Sequence, residues 1–111
     1  MQIVYLLRTE DRAKAVPTLL AQFNLLGFKG KRIALKANYN SADPFPGSTH
    51  LETLAAIVKE LKSAGAADIA LAERSGMGLT SEVLAKMGVL KLSEQLGFTV
   101  VALDGTEEEL W

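Results

Sequence analysis

The chain has 111 residues, which suffices for one ordinary domain and not for two, so residues 1–111 are expected to form a single domain. Its 12 basic and 13 acidic side chains leave a formal net charge of −1, so no basic excess indicates nucleic acid or an anionic membrane as a partner, and neither is expected. The absence of cysteine excludes disulfides and Cys-ligated iron–sulfur clusters within this chain. No signal-peptide layout and no apolar run of roughly 20 residues are present, so a cytoplasmic protein is expected.

The N-terminal third is predicted to contain a strand and a helix. Met1–Leu7 is short and apolar and predicts the first strand. A helix is predicted over about residues 11–25, in which Pro17 either introduces a kink or starts a shorter helix. The residues expected to face inward from this helix are Val16, Leu19, Leu20 and Phe23.

The middle of the chain predicts a second strand and the clearest helix. Arg32–Ala37 alternates in polarity and predicts a strand. Thr49–Ala64 carries one apolar stripe at helical spacing, Thr49 and Glu52 match a capping box, and Gly65 suits the position after the helix. The residues of the stripe are Leu51, Leu54, Ala55, Val58 and Leu61.

The last third predicts two more strands around a broken helix. Asp68–Ala72 and Phe98–Leu103 are short apolar runs, and Thr80–Leu96 has helical spacing interrupted at Gly88. Alternating strands and helices are typical of an α/β three-layer sandwich, here with a four-stranded parallel sheet of Rossmann-like or flavodoxin-like type, buried on both faces. Strand order 2-1-3-4 is favoured, and 3-2-1-4 is the other order considered.

The strand-to-helix loops are long and polar, whereas the helix-to-strand connections are short. Parallel strands bring their following loops to one carboxyl edge, where open α/β sheets bind ligands. The first unusual loop, residues 38–50, reads NYNSADPFPGSTH and contains two prolines that stiffen it. The second is Arg74–Thr80. Both loops are therefore predicted to border one ligand site.

Each loop leads into a helix, and helix N-termini attract anions. Gly47, Ser48 and Thr49 could hold an anion through backbone N–H groups, or could only turn the chain and cap the helix. The second loop offers further donors but is neither a dinucleotide fingerprint nor a P-loop. The expected ligand-binding residues are Asn38, Asn40, Gly47, Ser48, Thr49, Arg74, Ser75, Gly76, Gly78 and Thr80.

Three charged or titratable side chains could add chemistry at this edge. Lys36 could contact an anion or could be a solvated lysine at a strand end, and Arg74 could bind an anion or pair with a neighbouring carboxylate. His50, the only histidine, is a candidate general base, with Lys36 as a second catalytic candidate, or it could simply be solvated. No spacing supports a metal site.

Two segments resemble a known family. Residues 36–50, KANYNSADPFPGSTH, and residues 73–78, ERSGMG, are similar to the N-terminal part of the domain-of-unknown-function 362 family, although that family typically has Lys-Pro-Asn at positions 36–38 and close relatives have Asp in place of Leu79. The resemblance implies that the chain corresponds to the front portion of a longer architecture. It also implies association with iron–sulfur proteins, although this chain lacks the cysteines for a cluster.

Two functions are therefore expected. The first is the binding of an anionic small molecule at the carboxyl edge of the sheet. The alternative is a non-catalytic docking or oligomerisation module, which would form a homodimer or dock on a C-terminal domain of an iron–sulfur-associated protein. The cofactor is open, and a flavin is not excluded.

Overall fold

The structure is a computed structural model that describes residues 1–105. The helices are α1 (Arg12–Leu20), α2 (Leu51–Ser63), α3 (Thr80–Lys86) and α4 (Val89–Leu96). The strands are β1 (Arg32–Leu35), β2 (Asp68–Glu73) and β3 (Thr99–Ala102), and short 3-10 turns occupy Leu25–Phe28 and Leu103–Gly105. The mixed α/β architecture predicted from the sequence is confirmed.

Within residues 1–105 the sheet has three parallel strands in the order β1-β2-β3. Arg32 pairs with Asp68 at the start of the β1–β2 ladder, and Glu73 pairs with Ala102 at the end of the β2–β3 ladder. The predictions of four strands and of both strand orders are wrong. The strands lie side by side in the order in which they occur in the sequence. The predicted first strand is not part of the sheet.

The missing strand is Met1–Leu7, which forms no hydrogen-bonded ladder. The segment leans on the helical side of the molecule, where the Tyr5 ring meets Phe23 edge-on at 5.7 Å between ring centroids. Phe23 was expected to face inward, but α1 ends at Leu20 and Phe23 is 59% exposed. Apolar composition alone did not make this segment a strand, because a strand also needs a sheet edge with which to pair.

The side chains on one face of the sheet are buried. In the central strand Ile69, Leu71 and Glu73 are buried, and they alternate with partly exposed alanines. Right-handed crossovers that proceed in one direction place successive helices on the same face, and α2 contacts α4 as this arrangement requires. On the opposite face Ala34 and Val101 are exposed, so the expectation of strands buried on both faces is wrong for β1 and β3.

Helix α2 supplies the largest share of the core. Its predicted apolar stripe is confirmed, with Leu54, Val58 and Leu61 buried against the sheet. The predicted cap is displaced by one residue: His50 is the N-cap, and its Nδ1 accepts a hydrogen bond from the Glu52 N–H at 3.2 Å. The break at Gly88 is also confirmed, since Gly88 has φ +82 and separates α3 from α4.

Helix α1 packs against α2 and contains Pro17 in its interior, so the helix starts before the proline. An interior proline removes one backbone donor, and α1 ends only three residues later, at Leu20. The longest helix is α2 with 13 residues. None of the helices formed by residues 1–105 has the length and apolarity needed to cross a membrane.

Candidate functional site

The two loops predicted to share a site meet at the carboxyl edge of the sheet. The Gly76 N–H donates to Asn40 Oδ1 and the Met77 N–H donates to Asn40 O, both at 2.9 Å. The Ser75 hydroxyl donates to Tyr39 O at 2.6 Å. Three bonds between segments about 36 positions apart therefore join the loop after β1 to the loop after β2.

The loop after β1 is also closed onto itself. The Asn38 N–H donates to Thr49 Oγ1 and the Thr49 N–H donates to Asn38 O, each at 2.9 Å. Asn38 Nδ2 donates to Gly47 O at 3.4 Å, and the buried Ser48 donates from its hydroxyl to Ser41 O at 3.3 Å. Reciprocal bonds across the base of the loop hold its two ends at a fixed separation.

Many backbone donors expected to face an anion are used within the protein. The Gly47 N–H donates to Pro44 O, and the Ser75 N–H donates to Thr80 Oγ1 at 2.8 Å. Gly78 has φ +117, a conformation that residues with side chains rarely adopt. The loops are thus pre-organised, and the groups left to contact a ligand are mainly side chains at their surface.

The centre of the edge is an ion pair between Lys36 and Glu73. Lys36 Nζ lies 2.7 Å from Glu73 Oε1 and also donates to the backbone oxygen of Ala37. The Glu73 side chain is fully buried, whereas that of Lys36 is 62% exposed. An ammonium has three donors, so two of them hold Lys36 in place and the third remains on its solvent-facing side.

Two buried oxygen atoms near this pair have no partner among residues 1–105: Glu73 Oε2 and the Tyr39 hydroxyl. Burial, with a smaller contribution from the charge of Glu73, raises the pKa of Tyr39 to about 12. Tyr39 therefore remains a neutral donor at physiological pH. A buried polar atom without a partner costs about 1–3 kcal/mol, so the site contains unsatisfied hydrogen-bonding capacity.

Asp104, after β3, anchors the start of α3. Its Oδ2 accepts a hydrogen bond from the Thr80 N–H at 2.8 Å. Hydrogen bonds from the backbone and the side chain of Thr80, with a smaller contribution from the positive charge of Arg74, lower the pKa of the Asp104 carboxyl. Arg74 is exposed and lies at the same edge, so a second cation is placed near the end of β2.

His50 lies in a different environment from Lys36. It meets the Phe45 ring edge-on at 5.3 Å between centroids, and Arg12 Cζ lies 4.5 Å from the centre of the same ring. His50 and Phe45 line a cleft of about 360 Å³ that neither Lys36 nor Arg74 borders. Because Nδ1 accepts the cap bond, a neutral His50 carries its proton on Nε2 and presents a donor there. The structure thus separates the two catalytic candidates.

Sequence reasoning missed Glu73 and Tyr39 as residues of the site. Glu73 follows Ile69 and Leu71 at the two-residue period of a strand, which was a usable signal that it lies on the buried face. Tyr39, between two exposed asparagines, gave no comparable signal. Among residues 1–105 no group of three or more His, Cys, Asp or Glu side chains could hold a metal ion.

Comparison with known proteins agrees with the resemblance in the two loops. The model of the family described as "Domain of unknown function (DUF362)" matches residues 33–110, which begin within β1 and include both loops. No curated protein and no solved structure matched the chain. Because this match covers more than half of the sequence, the chain belongs to the DUF362 family.

Proposed function

We propose that this DUF362 domain binds an anionic small molecule at the carboxyl edge of its sheet. The observation that carries the proposal is the position of the Lys36 ammonium, which is bonded to Glu73 and to the backbone oxygen of Ala37 while the Lys36 side chain as a whole is 62% exposed. A cation held by the protein needs little further ordering when a ligand arrives, which favours binding. Glu73 acts here as a positioning residue.

Arg74 supplies the second positive charge in this proposal. It follows the last residue of β2 and is exposed, close enough to Asp104 to affect that carboxyl group. A guanidinium can donate two parallel hydrogen bonds to a phosphate or carboxylate. Lys36 and Arg74, at the ends of neighbouring strands, would contact different oxygens of the same anion.

The proposal assigns the loops a supporting role. The backbone N–H groups of Gly76, Met77 and Thr49 already have acceptors within the protein, so they fix the shape of the edge and leave anion contact to the two cations. A ligand at this edge is typical of Rossmann-like and flavodoxin-like sheets, and we propose that relationship for this fold. A sequence without cysteine fits a reducing compartment, and we propose the cytoplasm.

Calorimetric titration with inorganic phosphate and with a nucleoside diphosphate tests the proposal. Arg74→Gln should weaken binding about tenfold, the effect of losing one charge-assisted contact. Lys36 is best tested together with its partner, as Lys36→Met/Glu73→Met, because the single change would leave the buried Glu73 carboxylate without its ion-pair partner. Lys59→Met, an exposed lysine on α2, is the matched control. Unchanged affinity in both test variants, or no heat with either anion, would overturn the proposal.

A second candidate is a docking module for another part of an iron–sulfur-associated protein. The observation that favours it is the face of the sheet opposite the helices, where Ala34 and Val101 are exposed. Sheet faces of this kind are normally covered in α/β proteins. The calorimetry separates the two candidates: a folded chain that binds neither anion would place the docking function ahead.

A further inference from the structure

The cleft of about 360 Å³ that Phe45 and His50 line has the size and the chemistry of a small-molecule site. Such sites have volumes of about 300–1,000 Å³ and mostly apolar walls with a few polar groups. Here the walls are largely apolar or aromatic, and His50 and Thr49 are the polar side chains. The residues that line the cleft are Pro44, Phe45, Thr49, His50, Leu51 and Met87.

Phe45 is the aromatic wall of this cleft, and its ring has contacts with two other side chains. Arg12 Cζ lies 4.5 Å from the centre of the ring, and the His50 ring meets it edge-on at 5.3 Å between centroids. The loop that carries Phe45 is closed at its base by the bonds between Asn38 and Thr49. The Phe45 side chain nevertheless remains 53% exposed. It therefore offers a pre-organised surface on which a second ring can pack.

Two unused hydrogen-bond donors flank the same ring. Because Nδ1 of His50 accepts the cap bond from the Glu52 N–H, the hydrogen of a neutral imidazole is on Nε2. Within residues 1–105, neither Nε2 of His50 nor the guanidinium of Arg12 donates to an acceptor. None of the six lining residues is acidic. The cleft thus combines apolar walls with donors and a nearby positive charge.

We propose that this cleft binds a small aromatic carboxylate. The ring of the ligand packs against Phe45 and Met87, because aromatic rings and thioethers both make favourable contacts with a second ring. The carboxylate accepts hydrogen bonds from His50 Nε2 and from the Arg12 guanidinium. Its single negative charge is balanced by Arg12, whereas a phosphate group carries about 1.5 to 2 negative charges. The site is separate from the anion site at the carboxyl edge and does not rest on it.

Amide NMR titration with benzoate tests the proposal, and acetate serves as the ligand that has the charge and lacks the ring. Benzoate should give chemical-shift changes that saturate and are concentrated at residues 45–51 and 87, whereas acetate at the same concentrations should not. Arg12→Gln should raise the dissociation constant of benzoate about tenfold, because a charge-assisted contact is lost. His50→Ser keeps a side-chain oxygen that can cap α2 and removes the imidazole donor, so it should raise the constant about fivefold.

Phe45→Leu and its matched control Phe23→Leu test the contribution of the aromatic wall. The two rings are 53% and 59% exposed, so both variants should keep their fold, which circular dichroism verifies. Phe45→Leu should weaken benzoate binding about threefold or more, and Phe23→Leu should leave it unchanged.

Three results would overturn the proposal. The first is a folded chain that does not bind benzoate, or that binds acetate equally well. The second is unchanged benzoate affinity in both Arg12→Gln and His50→Ser. The third is a loss of benzoate affinity in Arg74→Gln as large as that in Arg12→Gln, since the ligand would then lie at the carboxyl edge. Phosphate binding at that edge is measured separately, so either site can fail without the other.

Discussion

The carboxyl edge and the N-terminal segment Met1–Leu7 differ in which side chains they bury and which they expose. At the carboxyl edge polar residues are buried and bonded to one another, as the fully buried Glu73 and the hydroxyl of Ser75 illustrate. In Met1–Leu7 apolar residues are exposed, with Val4 and Leu6 more than nine-tenths accessible. Polar groups at the carboxyl edge thus order the loops through internal hydrogen bonds, whereas the apolar side chains of Met1–Leu7 remain exposed.

This difference separates loops that are fixed by internal hydrogen bonds from an apolar surface that residues 1–105 leave exposed. Internal hydrogen bonds hold the loops after β1 and β2 in one arrangement before any ligand arrives. The N-terminal segment Met1–Leu7 makes no such bonds within the described part of the chain. Mutations should therefore destabilise the fold strongly at the carboxyl edge and only weakly at the N-terminal segment.

The largest effect is expected from Lys36→Met. The change removes the only partner of the Glu73 carboxylate among residues 1–105 and leaves a buried charge uncompensated. Because Lys36 is partly solvated, the loss is expected to be about 2–4 kcal/mol of unfolding free energy, somewhat below that of a fully buried pair. Urea denaturation measures it.

The double variant Lys36→Met/Glu73→Met sharpens this test. It replaces the ion pair by apolar side chains, so it should recover much of the stability lost in the single variant. Equal losses in Lys36→Met and in the exposed control Lys59→Met would contradict the view that the carboxyl edge depends on this pair.

A pH-dependent effect is expected at Tyr39. Its pKa is raised from 10.0 to about 12 in the folded protein, so the unfolded chain releases this proton first as the pH rises. Stability should fall from about pH 10 to pH 12 by roughly 2–3 kcal/mol on this account. Tyr39→Phe should remove that part of the decline, and urea denaturation at both ends of the range measures it. Tyr5→Phe, at the partly exposed tyrosine, should leave the decline in place.

A smaller effect is expected at the bond between the two loops. Asn40→Ala removes the side-chain acceptor of the Gly76 N–H and should cost about 1 kcal/mol. Gly76→Ala should act through the same contact, since its Cβ would lie 2.5 Å from Asn40 Oδ1. The two changes together should cost less than the sum of their separate effects, as thermal denaturation would detect. Gln95→Ala, exposed on α4, is the neutral reference.

The smallest effect on stability is expected at the N-terminal surface. Phe23→Ala removes an edge-on contact with Tyr5 between two exposed rings, which is worth about 0.5–1 kcal/mol at most. Measurements at low protein concentration isolate this intramolecular contribution. A loss as large as that of Lys36→Met would mean that Met1–Leu7 belongs to the folded core, and the contrast between the regions would fail.

The parts of the fold that depend on local periodicity could be predicted. The apolar stripe of α2 and the break at Gly88 need only the helical repeat and the left-handed preference of glycine, and both were confirmed. The burial of Glu73 could also have been inferred from its alternation with Leu71. These features involve residues within a few positions of one another.

The predictions that were wrong concern features that depend on residues far away in the sequence. Whether Met1–Leu7 joins a sheet is decided by a free edge elsewhere, which its own composition does not encode. Thr49 was expected to cap α2, but its hydroxyl accepts from Asn38, and His50 takes the cap. The ion pair between Lys36 and Glu73 spans 37 positions, and two strands must align before it exists. The anion site also depends on residues from two distant loops, and it stays a prediction.

Amide NMR titration of the chain with inorganic phosphate shows whether Lys36 and Arg74 bind an anion. We expect chemical-shift changes that saturate and are concentrated at residues 36–38 and 73–76, around Lys36 and Arg74, while the amides of residues 2–7 stay unchanged. Arg74→Gln should reduce these shifts at equal phosphate concentration. Shifts spread evenly over exposed lysines, or a folded spectrum that phosphate leaves unchanged, would contradict an anion site at the carboxyl edge.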